Sequence, residues 1–93
     1  MYQISNETRR IAKQHGLRVE PSQVKHKKIS VFRGDDYLGS VGAIGYDDYH
    51  TFKRKQGQAV ANEHRRRYLI RHEKDRHKKD SKGYLASILL WNG

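Results

Sequence analysis

The sequence contains no cysteine, which excludes disulfides and thiolate-bound metal and leaves nothing pointing to an oxidising compartment. No stretch approaches the roughly 18 to 20 consecutive apolar residues that a membrane span requires. The opening residues, MYQISNETRRIAKQHG, also lack the apolar region of a signal peptide. The expected protein is therefore soluble and intracellular, or carried inside a particle assembled in a cell. Apolar residues are scarce, at 34% of 93, so a single domain of this size can build only a thin core. Six tyrosines, two phenylalanines and one tryptophan supply much of its bulk, as side chains that bury a ring and keep a polar tip near water.

Acidic residues are outnumbered two to one, and the imbalance is local. Residues 1–52 hold eight basic and six acidic side chains, a net of +2. Residues 53–82 hold twelve and four, a net of +8, and residues 83–93 carry no charged side chain. A positive field confined to one segment marks an electrostatic footprint for a polyanion.

Local patterning predicts α+β architecture in one small basic domain over 1–93. An N-terminal helix over 1–16 has Ser5 or Asn6 at its cap, Ile11 and Ala12 facing inward, and Gly16 at its end. Residues 17–45 form an antiparallel sheet, in which LRVEPS is a short strand that Pro21 stops or places at an edge. The 28–41 hairpin has Ile29, Val31 and Arg33 alternating with Ser30 and Phe32, RGDDY as its turn, and Tyr37 to Val41 returning. Gly39, Gly42 and Gly45 mark a bend or bulge, because GSVGAIG lacks both the Lys-Ser/Thr ending of a phosphate loop and the dinucleotide spacing. Residues 46–79 form a basic helical region that starts at Asp47 or Asp48, with Tyr46, Tyr49 and Phe52 available to pack. Gly57 interrupts it, and a long helix runs from Gln58 to about Lys79, a span free of Pro and Gly. DSKG ends that helix, and 80–93 closes the chain as a short apolar helix with Leu85, Ile88, Leu89 and Trp91 turned inward.

At 100° per residue, Ala61, Arg65, Tyr68, Leu69, His72 and Arg76 share one side of the long helix. Ala59, Glu63, Arg66, Ile70, Glu73 and His77 share the other. The first side carries the larger apolar contacts and docks on the sheet or the C-terminal segment. Arg66, Arg67, Lys74, Lys78 and Lys79 then face solvent as candidate phosphate contacts, with Lys53, Arg54 and Lys55 as a second patch. Glu63 with Arg67, and Glu73 with His77, have the i,i+4 spacing of internal pairs.

Chemistry does not assemble from the remaining groups. His72 and His77 lie on different helix faces, and His64 and His72 are two turns apart, so neither pair has the i,i+4 spacing that presents two ligands to one zinc. The pairs Asp35–Asp36 and Asp47–Asp48 suit a hairpin turn and a helix cap. No catalytic residues, metal, cofactor or small-molecule substrate are expected.

Three segments carry a resemblance: GYDDYHTF at 45–52, RRRYLIRHEKDR at 65–76 and GYLASILLWN at 83–92. In this order they resemble a family of small basic proteins of uncharacterised function encoded by tailed bacteriophages and large DNA viruses. The likeness covers roughly residues 17–92, and the matching positions are Tyr46, Tyr49, Arg67, Tyr68, Arg71, His72 and Trp91. It implies a viral origin. The expectation is a non-enzymatic protein that binds nucleic acid through its backbone, in the host cytoplasm at the nucleoid or in the virion. The alternative is a minor capsid, cement or internal virion component that docks on coat protein or packaged genome.

Overall fold

A computed structural model describes residues 2–93, and its elements give the α+β class expected from the sequence. Contacts divide the chain into two compact units, 1–46 and 47–93, and each is described by itself.

In the first unit, helix α1 (Asn6–Gln14) starts at Ser5, whose hydroxyl accepts the Thr8 amide at 3.1 Å. It ends where Gly16 takes φ +69°, a conformation that glycine adopts without strain. Strands β1 (Arg18–Pro21), β2 (Lys27–Arg33) and β3 (Asp36–Ala43) follow as an antiparallel sheet in the order β1-β2-β3. The register places Val19 opposite Val31, and Pro21 and Val41 on either side of Ile29. That face holds the unit's core: Val19, Ile29, Val31 and Val41 are buried, as are Thr8, Ile11 and Ala12 of α1. Ser30 and Ser40 lie opposite each other on the other face, with their hydroxyls 2.9 Å apart. The expected hairpin is present, and Gly34 at φ +60° opens its two-residue turn. The expected irregularity beside Gly39 is also present, where the register shifts between Val31 and Phe32 and leaves Leu38 as the extra residue of β3.

In the second unit, α2 (Tyr49–Gln56) is capped by Asp48, whose Oδ1 accepts the Thr51 amide at 3.0 Å. Gly57 separates it from α3 (Gln58–Arg71), and α4 (Lys82–Leu90) starts at the Ser81 cap. Tyr49 is buried and its hydroxyl donates to Asn62 Oδ1 at 2.9 Å, which ties α2 to α3. Tyr46, the last residue of the first unit and expected to pack, is instead 76% exposed.

The long helix to Lys79 is not formed. Helix α3 stops at Arg71, and 72–81 run as turns held by the amides of Glu73 on Ile70 O, Asp75 on His72 O and Ser81 on Lys78 O. Helix propensity alone would permit continuation, but beyond Ile70, itself exposed, the sequence offers nothing apolar to bury until Tyr84. Helices in proteins are held mainly by such burial.

The expected facing of α3 is realised over its length. Ala61 is fully buried, and Ile70 on the other side is 62% exposed. The inward side meets the C-terminal segment. The Trp91 ring stacks on Tyr68 at 4.6 Å, Arg65 Nε donates to Asn92 O at 3.0 Å, and Gly93 lies against Leu69. Leu85, Ile88, Leu89 and Leu90 of α4 are buried.

Candidate nucleic-acid interface

The expected phosphate contacts fall on three successive parts of the second unit. Lys53, Arg54 and Lys55 form the last turn of α2 and are all exposed. Cations there also complement the partial negative charge of the helix C-terminus, which gives them a structural role as well. Lys55 Nζ lies 3.7 Å from Asp47 Oδ1. Arg66 and Arg67 project from α3, and each side chain is 60% exposed. Lys74, Lys78 and Lys79 are exposed as expected, but on the 72–81 turns and not on a helix. No hydrogen bond or ion pair among the described residues joins the three groups.

The arginines of α3 do not point into solvent as isolated charges. Arg66 donates to both oxygens of Glu63, from Nε at 3.1 Å and from Nη2 at 2.7 Å. Arg67 Nε donates to the same carboxylate at 3.2 Å. The Arg66 hydrogen bonds, together with the charges of Arg66 and Arg67, hold the Glu63 carboxyl at about 2, well below its ordinary 4.5. Because these groups are exposed, the pairing contributes little to folding, but it determines what a phosphate would meet.

Ten residues on, the same arrangement recurs. Glu73 accepts Arg76 Nε at 3.1 Å and Nη2 at 2.6 Å, both on Oε2, and its Oε1 lies 2.7 Å from His77 Nε2 in a hydrogen bond. The His77 and Arg76 bonds lower the Glu73 carboxyl. The i,i+4 pairs Glu63–Arg67 and Glu73–His77 match the sequence expectation. The i,i+3 partners Arg66 and Arg76 were not anticipated as pairs, and Arg76 and His77 were not among the candidate contacts. A signal existed in the recurrence of Glu-x-x-Arg followed by Arg or His at 63–67 and 73–77. Arg65, by contrast, is committed to Asn92 O.

Behind these cations, rings from α2, α3 and the C-terminal segment form a column. His64 stacks on Phe52 at 3.9 Å, Phe52 lies 6.2 Å from Trp91, Trp91 stacks on Tyr68, and Tyr68 stacks on His72 at 4.4 Å. Burial in this column raises the Tyr68 hydroxyl above its usual value. His64 and His72 are thus engaged as ring partners at its two ends.

Among the described residues no group of three His, Cys, Asp or Glu side chains is placed to hold a metal ion, and no helix is long and apolar enough to cross a membrane. Incubation with a chelator should therefore leave the melting temperature unchanged, since a structural metal contributes directly to folding. A fall in melting temperature that zinc reverses would contradict this.

Comparison with protein-family models, with curated proteins and with solved structures finds no match to this chain. The viral resemblance rests on the three quoted segments.

Proposed function

We propose that this chain is a virus-encoded, non-enzymatic nucleic-acid-binding protein that contacts the phosphate backbone without reading base sequence, in the host cytoplasm at the nucleoid or in the virion. The observation that carries this reading is the net +8 over residues 53–82, with Lys53, Arg54, Lys55, Arg66, Arg67, Lys74, Lys78 and Lys79 all exposed on one unit. Phosphates that meet such a surface release their condensed counterions, which drives association whatever the base sequence. Nothing in α3 or the 72–81 turns selects a groove, so base readout is not part of the proposal.

The test is titration of duplexes of unrelated sequence over a range of salt. Affinities should be similar between sequences and fall linearly on a log–log plot, with a slope of about 0.9 per phosphate neutralised. Replacing Arg66, Arg67 and Lys74 together with Gln should flatten that slope and leave the circular dichroism spectrum unchanged, because these side chains are exposed. Absence of binding at low salt, where nonspecific attraction is strongest, overturns the reading.

One observation favours a second reading, a structural virion component that docks on coat protein. Ile70 is 62% exposed on the cationic side of α3, and an apolar group among charges suits a protein partner better than a phosphate backbone. Binding that survives moderate salt and is lost in Ile70→Ser would support it.

A further inference from the structure

The two glutamates of the cationic segment are placed where a phosphate would bind. Oxyanions are recognised by forked guanidinium donors and by neighbouring N–H groups that converge on one point. Glu63 is held in this way by Arg66 through two nitrogens and by Arg67 through a third. Glu73 is held by Arg76 through two nitrogens and by His77 through its ring. Glu63 brings together two guanidiniums that would otherwise repel each other, and Glu73 brings Arg76 and the His77 ring to one carboxylate; Arg66, Arg67 and His77 are exposed, whereas the Arg76 side chain is 22% exposed. The strength of the match shows in the Glu63 carboxyl, which the flanking guanidiniums hold far towards the ionised form.

We propose that Arg66 with Arg67, and Arg76 with His77, form two phosphate seats occupied in the free protein by the chain's own Glu63 and Glu73, and that nucleic acid binds by displacing these carboxylates. The proposal rests on the nucleic-acid reading above and adds Arg76 and His77 to the contact set. Binding is then an exchange of one anion for another at each seat, so the glutamates weaken affinity and raise the phosphate density needed to bind. A polyanion with several closely spaced phosphates displaces both carboxylates, whereas an isolated monoanion does not compete with a carboxylate tethered to the same backbone. Lys74, Lys78 and Lys79, which are exposed on the 72–81 turns, supply the longer-range attraction that brings the strand in.

The alternative role for the glutamates is orientation: they would hold the arginines ready for phosphate, and removing them would weaken binding. Substitution separates the two. Affinity for a short duplex of arbitrary sequence is measured by fluorescence anisotropy at low salt for the wild type, for E63Q/E73Q, and for the charge-matched control D35N/D36N in the hairpin turn of the first unit. Emptying two seats should tighten binding about tenfold, well beyond the control, which alters net charge equally without touching either seat. The gain from Glu63→Gln should also vanish in an R66Q/R67Q background, because the energies of residues that share one interaction are not additive.

Equal effects of E63Q/E73Q and the control, or weaker binding by E63Q/E73Q, overturn the proposal. So does a Glu63→Gln gain that persists without the two arginines. Failure of every variant, including the wild type, to bind is a different outcome, and it overturns the nucleic-acid reading itself. Melting curves accompany each variant; if E63Q/E73Q is destabilised, the single Glu63→Gln substitution on the exposed side of α3 gives the same decision.

Discussion

Trp91→Ala should lower the unfolding free energy by about 3 kcal/mol, at the lower end of the range for large aromatic truncations because the ring is only part-buried. The ring stacks on Tyr68 of α3 with planes 10° apart and lies against Phe52 of α2 at 6.2 Å. It is therefore the element through which the C-terminal segment touches both helices. Aromatic pairs add about 0.5 to 1.5 kcal/mol each beyond area burial, so the two pairs account for a large part of the expected loss. For a domain of this length a loss of that size corresponds to a fall in melting temperature of more than about 10 °C. Circular dichroism is the appropriate probe, since the substitution removes the only tryptophan. Trp91→Phe should recover most of the loss. A variant with wild-type melting would show that the column does not hold the second unit together.

Gly83→Ala should be destabilising by about 2 kcal/mol, although alanine in a helix is ordinarily better than glycine by about 1 kcal/mol. Gly83 sits in the first turn of α4. A Cβ there would collide with the carbonyl oxygen of Asp75, with the carbonyl carbon 2.8 Å away and the Asp75 Cβ at 3.1 Å. These are mostly backbone atoms, so relief requires the 72–81 turns to move off α4, and the clash outweighs the propensity gain. Limited digestion with trypsin should show faster cleavage at Lys74, Arg76, Lys78 and Lys79 in the variant, before any change in unit 1. Unaltered cleavage together with a higher melting temperature would mean that the basic turns are not seated on α4.

The parts of this fold that were legible in the sequence are those governed by local rules. The hairpin was readable because Ile29 and Val31 alternate with Ser30 and Phe32 and glycine opens the turn. The first two caps were readable to within one residue, as Ser5 or Asn6 and Asp47 or Asp48, because these side chains accept from backbone amides at helix starts; the structure uses Ser5 and Asp48, and Ser81 caps α4. The end of α3 was not readable, because 72–79 contain no breaker residue and differ from the preceding turns only in having nothing to bury. Their path includes Asp80 at φ +64° and the close approach of Gly83 to the Asp75 backbone, neither of which helix propensity or periodicity reveals. For the candidate site, the Glu63–Arg67 pair followed from helix spacing, whereas Glu73 and His77 meet on the 72–81 turns although the helix that suggested their pairing is not formed there. The i,i+3 contacts, Arg66 across both oxygens of Glu63 and Arg76 through two nitrogens on one oxygen of Glu73, follow from side-chain rotamers, which spacing alone does not determine.

The ring column also bears on the order in which the chain acquires structure during synthesis. The sheet and α1 are completed by residues near one another in sequence and can form as soon as β3 has left the ribosome. Helices α2 and α3 emerge next, but the tryptophan that stacks on Tyr68 and meets Phe52 is made only after the whole basic segment has been translated. For that interval the most cationic part of the nascent chain lacks its folding partner and lies beside the ribosome's own RNA. If the segment binds polyanions as proposed, premature capture would be a hazard of this chain order, and the Glu63 carboxylate within reach of Arg66 and Arg67 would act against it.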